Sequence, residues 1–155
     1  MQHLLSVWQE VAPMILRFPV MLFLDYDGTL TPIVQEPKRA NLSSTGKKLL
    51  RALVRTPGIK IAVMSGRALK DLKKRINIEG IIYAGNHGFE FEERKHPVIH
   101  PDVLTWRKLL EQLTKHLRQV LKPFAGLMVE NKSLTLSIHY RQLEPGGRPV
   151  AGGLP

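Results

Sequence analysis

Val20-Met21-Leu22-Phe23-Leu24-Asp25-Tyr26-Asp27-Gly28-Thr29-Leu30-Thr31 decides how the rest of the chain is read. Five apolar residues run without interruption into two carboxylates, and a glycine and two threonines follow. A short continuous apolar run reads as a strand buried on both faces, and such strands occur mainly in parallel sheets with helices on both sides. A strand that stops at two acids delivers them to the end of a sheet. Two neighbouring carboxylates repel, so Asp25 and Asp27 need a cation, a shared proton or a hydrogen-bonded turn. With a hard cation such as Mg2+, one carboxylate can attack phosphorus while the metal neutralises the phosphoryl oxygens. The product is an aspartyl-phosphate, and a neighbouring acid can protonate the leaving alkoxide and later activate water. An Asp-Gly turn with capping carboxylates is the purely structural use of the same residues.

Outward from this stretch the pattern repeats. Ile59 to Met64 is a second apolar strand closed by Ser65-Gly66-Arg67, and Gly80 to Ala84 is a third, ended by Gly85-Asn86-His87-Gly88. Ser43 or Ser44 can cap a helix running to about Arg55, with Leu49, Leu50, Leu53 and Val54 as its apolar stripe. A second helix runs from about Ala68 to Arg75, with Leu69, Leu72 and Ile76 on one side. Strand, helix, strand, helix, strand at this spacing implies right-handed crossovers and an α/β layered core. The carboxyl ends of parallel strands share one edge, where α/β proteins bind ligands. Asp25/Asp27, Ser65/Arg67 and Asn86/His87 are therefore expected to meet. Ser65 and Arg67 ahead of a helix form either a phosphate cradle or a capped helix start. His87 alone reads equally as a structural residue. Gly46-Lys47-Lys48 is not a P-loop, because it lacks the upstream glycine, the preceding strand and the following Ser or Thr.

The flanks carry other patterns. Residues 2–18 have helical spacing interrupted by Pro13, which predicts a helix packed on the edge of the core. Residues 31–42 read as a loop. After Gly88 come short strand candidates at Phe89 to Glu93 and Val98-Ile99. A long amphipathic helix from about Asp102 to Leu121 follows, with Asp102 as cap and Val103, Trp106, Leu110, Leu113, Leu117 and Val120 as its stripe. Leu127 to Asn131 and Leu134 to Tyr140 then read as two strands joined by a tight turn. Residues 89–141 thus form a small α+β module after the third strand. Residues 142–155, rich in Gly and Pro, are expected to be a disordered tail.

Composition sets outer limits. The chain has 155 residues, 43% of them hydrophobic and 23% charged, which suits a globular domain. It has no cysteine, which excludes disulfides and thiolate sites and fits a reducing cytoplasm. The net charge of +10 comes from bases spread over the solvent faces of helices. Aromatic residues are not interleaved with them, so no nucleic-acid partner is expected. The most apolar stretch, Val11 to Leu24, is broken by Pro13, Arg17 and Pro19, so no membrane span is expected either. His96 and His100 are separated by Pro97 and read as loop residues, not as a metal pair.

The motifs together resemble a known family. Asp25-Tyr-Asp27-Gly-Thr-Leu-Thr is similar to the first motif of the haloacid dehalogenase-like (HAD) phosphatases, and Ser65-Gly-Arg67 to their second. Gly85-Asn86-His87-Gly88 and Val129-Glu130-Asn131-Lys132-Ser133 to Ser137-Ile-His139-Tyr140-Arg141 resemble trehalose-6-phosphate phosphatases more narrowly. The resemblance covers roughly Leu22 to Arg141. It implies a HAD-like Rossmannoid core over residues 1–88 with an inserted α+β cap over 89–141. Asp25 would be the nucleophile and Asp27 the general acid/base, with Asp25 and the Asp27 carbonyl on Mg2+. Ser65 would hold the phosphoryl group. Arg67, Asn86, His87, Gly88, Glu130 and Lys132 would contact a sugar phosphate. The implied reaction is hydrolysis of trehalose 6-phosphate. Family members also carry a motif lysine and an acidic pair beyond the cap. Here no Asp follows Asp102, and the later acids are Glu111, Glu130 and Glu144. The core is therefore expected to be incomplete and to expose an apolar edge. The chain alone is expected to be a weak or inactive phosphatase, or a sugar-phosphate-binding or regulatory module.

Overall fold

The computed structural model describes residues 3–15, 17–34, 36–140 and 142–143; the expected tail from Glu144 onward lies outside them. Three parallel strands form the centre: β1 (Val20–Asp25), β2 (Ile59–Met64) and β3 (Ile81–Gly85). Their register runs from Val20 opposite Ile59 to Asp25 opposite Met64, and from Ile61 opposite Ile81 to Met64 opposite Ala84. Two helices make the crossovers, α2 (Ser44–Arg55) and α3 (Leu69–Ile76); α1 (Trp8–Ile15) precedes the sheet. Ser43 caps α2, its hydroxyl accepting from Gly46 N at 3.0 Å. Asn77 ends α3 in the left-handed conformation at φ 49°.

Strand order follows chain order, so two right-handed crossovers lay α2 and α3 on the same face. One core forms there from Leu50 of α2, Leu72 and Ile76 of α3, Ile61 and Val63 of β2, and Ile81 and Tyr83 of β3. Among the described residues the other face is covered only in part: Ala62 is buried there and Ile82 and Ala84 are half-buried. Phe23 is 65% exposed, and Met21, Met64 and Phe91 are exposed beside it. This corrects the reading of β1 as buried on both faces. Along β1 half-buried and exposed residues alternate, and the strand is the open edge of the sheet. An apolar run reports what a strand is suited to pack against, not whether it is packed.

The module after β3 is also divided differently from the sequence expectation. Strands β4 (Glu90–Glu93) and β5 (His96–Ile99) form a hairpin that extends the core sheet, β4 pairing antiparallel with β3. The separate α+β layer is α4 (Pro101–Val120) with the hairpin of β6 (Met128–Asn131) and β7 (Leu136–His139). α4 begins at Pro101 with His100 at the cap position, which leaves Asp102 as a first-turn acid and not the cap. Its buried positions are Val103 and Thr114; Trp106 and Leu113 are exposed. Leu49 of α2 is likewise exposed, and α1 has no buried residue, so it is not packed on the core as expected. In each case spacing put the residue on an apolar stripe, but the stripe is wider than the surface that covers it. No helix among the described residues is long and apolar enough to cross a membrane.

This division of the sheet faces makes a stability prediction. Leu72, fully buried under the sheet, is expected to cost about 2–5 kcal/mol when changed to Ala. Phe23→Ser on the open face is expected to change stability by no more than about 0.5 kcal/mol. Urea unfolding of the two variants checks the contrast.

Candidate active site at the carboxyl edge of the sheet

The parallel ladder continues past the strand ends and brings the three polar turns together. Tyr26 N donates to Met64 O at 3.1 Å, and Ser65 N to Ala84 O at 3.0 Å. Asn86 N donates to Arg67 O at 2.7 Å and His87 N to Ser65 O at 3.1 Å. Close approach is built in. A Cβ on Gly85 would stand 2.4 Å from Leu69 N, and one on Gly66 would stand 2.6 Å from the His87 ring. Asn86 and His87 both take left-handed conformations, at φ 48° and 60°. Asn adopts that region readily; for His it is a cost the surrounding turns must hold.

Between the two acids, Tyr26 turns into the core. It is 0% exposed, and its hydroxyl donates to Ala40 O at 3.1 Å. Thr31 closes the turn, its hydroxyl and amide both donating to Tyr26 O, at 3.1 and 3.0 Å. Asp25 and Asp27 are left exposed at the edge, in opposite circumstances. The Asp25 carboxylate has no hydrogen bond or ion pair among the described residues. The Asp27 carboxylate is fully engaged. Arg67 grips it as a fork, Nε to Oδ2 at 2.9 Å and Nη2 to Oδ1 at 2.6 Å. The Ser65 hydroxyl donates to Asp27 Oδ2 at 3.2 Å and accepts from Arg67 N at 3.1 Å.

Arg67 holds more than Asp27. Nη2 also donates to Pro37 O at 2.7 Å, and Nη1 to Asp71 Oδ2 at 3.2 Å. The guanidinium carbon stands 5.5 Å from the centre of the Tyr26 ring. The side chain is only 10% exposed. Burial opposes its charge, but hydrogen bonds and attraction from Asp27 and Asp71 outweigh that and raise its pKa above the ordinary arginine value. Asp71 also accepts from Arg75 Nε at 2.8 Å. Arg75 in turn donates to Ala40 O and Lys38 O, which ties the 37–41 loop to α3.

The α+β layer reaches the same edge. Lys132 Nζ donates to Gly66 O at 2.8 Å, inside the Ser65-Gly66-Arg67 turn. Asn86 is 0% exposed; its carboxamide meets Glu90, Thr135 and the Lys132 carbonyl. Glu130 is half-buried and pairs with His139 at 2.7 Å, across the diagonal of the β6–β7 hairpin. No described hydrogen bond links Glu130 to the strand ends. The structure thus gathers Asp25, Asp27, Ser65, Arg67, Asn86, His87, Gly88 and Lys132, and keeps Glu130 in the hairpin. Sequence reasoning missed Tyr26, Asp71, Glu90, Thr135 and His139 as supporting residues. The spacing of Arg67 and Asp71, four apart across the start of α3, carries a signal for that pair alone.

For Mg2+ the donors fit a partial shell. Among the described residues no three His, Asp or Glu side chains converge. Asp25 offers a free carboxylate and Asp27 a main-chain carbonyl, while the Asp27 carboxylate is occupied by Arg67. Mg2+ binds through one or two carboxylates and completes its octahedron with waters and phosphate oxygens, so this hard-oxygen pair suits it better than a closed cage would.

The sequence at these positions matches a family model. The model, trehalose-phosphatase, covers residues 23–153. The chain belongs to the trehalose-phosphatase family. It is 40% identical over 122 residues to a trehalose-phosphate phosphatase of Mycobacterium tuberculosis, which covers 77% of the chain and 30% of that relative. A probable trehalose-phosphate phosphatase D of Arabidopsis thaliana is 29% identical over 146 residues, 88% of the chain and 39% of the relative. Among solved structures, the C-terminal domain of the Candida albicans trehalose-6-phosphate phosphatase superposes with a TM-score of 0.74 at 28% identity. That match covers 90% of the chain and 49% of that domain. The expected HAD-like α/β fold is therefore found, and the chain spans less than half the length of these relatives.

In this family member the Arg67–Asp71–Arg75 ladder makes stability depend on pH. Burial works against the Asp71 carboxylate, and the hydrogen bonds from Arg75 and Arg67 outweigh it, holding its pKa below the ordinary carboxylate value. A group depressed on folding stabilises the protein above its unfolded pKa and loses that contribution as pH falls through its folded one. Thermal unfolding between about pH 5 and pH 2 is expected to show a steeper loss of Tm for the parent chain than for Asp71→Asn.

Proposed function

We propose that the chain is the phosphoryl-accepting part of a Mg2+-dependent phosphatase that hydrolyses trehalose 6-phosphate to trehalose and phosphate. The observation that carries this reading is the contrast between the two acids, one free and exposed, the other gripped by a guanidinium. Paired acids in different environments take different roles. The free Asp25 attacks phosphorus, and the bond from phosphorus to the sugar oxygen breaks. Asp27 gives its proton to the leaving alkoxide, then takes one from the water that cleaves the aspartyl-phosphate and regenerates Asp25. Arg67 occupies both Asp27 carboxylate oxygens in the arrangement seen here, so Asp27 can serve the leaving oxygen only when the incoming phosphate draws the guanidinium away.

Bound Mg2+, held by Asp25 and the Asp27 carbonyl, would neutralise the phosphoryl oxygens. In this reading the Ser65 hydroxyl, which here donates to Asp27, would turn to one of those oxygens, and the exposed His87 and Gly88 would meet the sugar side. Lys132, which the layer of α4, β6 and β7 brings to the edge, and Glu130 supply sugar contacts in this reading.

A second reading is a sugar-phosphate-binding module with weak or absent turnover. The short donor set for the metal favours it, since no third acid converges on Asp25 among the described residues. Phosphate release and calorimetric binding, measured on trehalose 6-phosphate with and without Mg2+, separate the two. Mg2+-dependent release that drops to background in Asp25→Asn supports the phosphatase. Binding without release selects the module, and neither binding nor release contradicts both.

A further inference from the structure

We propose that Asn86 is the post on which the 128–139 hairpin docks, a positioning residue and not a substrate ligand. Its side chain is fully buried, and three of its hydrogen-bonding positions are filled. Nδ2 donates to Glu90 Oε1 at 2.7 Å and to Lys132 O at 3.3 Å, and Oδ1 accepts from Thr135 Oγ1 at 2.7 Å. The chemistry fixes this orientation. The Lys132 carbonyl only accepts, so the amide nitrogen must face it, and the amide oxygen is left to accept from the Thr135 hydroxyl. Little capacity remains for a sugar hydroxyl, and the burial leaves none a route in.

The contacts form a closed circuit between the two layers. Glu90 Oε1 also accepts from Leu69 N at 2.6 Å, which fixes it to the start of α3. Asn86 N donates to Arg67 O, and Lys132 returns from the hairpin to Gly66 O at 2.8 Å. The hairpin shares no strand pairing with the five-stranded sheet. Among the described residues, its hydrogen bonds to the core all end on Asn86 or Gly66. A buried carboxamide that loses one partner is left with an unsatisfied group and no water to replace it, so the pairing selects one docking angle. Lys132 is carried by that angle: its carbonyl is held by Asn86 while its ammonium reaches the turn between Ser65 and Arg67. Asn86 thereby sets where Lys132 is presented. This placement stands whether or not the chain turns over substrate.

The absence of cysteine makes a direct test simple. Cysteines introduced at the exposed Arg51 of α2 and Gln112 of α4 carry spin labels, and pulsed dipolar spectroscopy gives the distance distribution between the layers. The labelled parent is expected to give one narrow peak. Thr135→Val, which keeps the shape and removes the hydroxyl, is expected to at least double the width, and Thr135→Ser to restore the narrow peak. Lys132→Met, which removes only the Gly66 contact, is expected to broaden it less than Thr135→Val. A broad parent distribution, an unchanged Thr135→Val, or equal broadening in Lys132→Met would overturn the assignment. If Thr135→Val does not fold, hydrogen exchange in the parent protein decides. The Asn86 side-chain amide is expected to exchange at least tenfold more slowly than the exposed Asn41 and Asn77, and equal rates would overturn the proposal.

Discussion

The grip of Arg67 on Asp27 is the contact on which the site depends. One guanidinium joins the end of β1 through Asp27, the first turn of α3 through Asp71, and the 37–41 loop through Pro37 O. Below it lies the Tyr26 ring, which is itself tied to Ala40 O. The parallel ladder, which runs on past the strand ends, and Arg75 on the 37–41 loop hold the same segments beside the guanidinium. The planar fork allows the grip: five donors in fixed geometry satisfy two carboxylates and a carbonyl at once, which an ammonium cannot do. The consequence for chemistry is a division of labour. Asp27 is oriented and occupied, and Asp25, two residues earlier, is left without a partner among the described residues.

Much of the core was legible in the chain. The three apolar runs and the serine ahead of α2 are local signals, and parallel pairing follows from the helix between each pair of strands. The meeting of Asp25, Ser65 and Asn86 also follows, since parallel strands end on one edge. Packing partners were not legible. Phe23 and Leu24 look alike in sequence, yet Leu24 packs against the core and Phe23 stands 65% exposed. The β4–β5 hairpin pairs with β3 because that edge is open to it, a fact about the sheet and not about residues 90–99. Register hid the rest: Glu130 and His139 meet only because Glu130 lies opposite Ser137.

The open face and the incomplete match to relatives describe the same molecule. A parallel strand with apolar residues on both sides is suited to burial on both sides, and β1 here is covered on one. The solved Candida albicans domain is matched over 49% of its length at a TM-score of 0.74, so the chain has the fold of the matched part of that domain. The candidate site stays assembled through the parallel ladder and Arg67, neither of which depends on the exposed face.

The central claim is that this assembly presents Asp25 as the reactive carboxylate. Fluorine NMR of the chain with beryllium fluoride and Mg2+ tests it most directly, because beryllofluoride forms a phosphate-like adduct on such a carboxylate. Bound fluorine resonances that persist in Asp27→Asn and vanish in Asp25→Asn are predicted. No adduct in the parent chain, or an adduct that survives Asp25→Asn, would contradict the account.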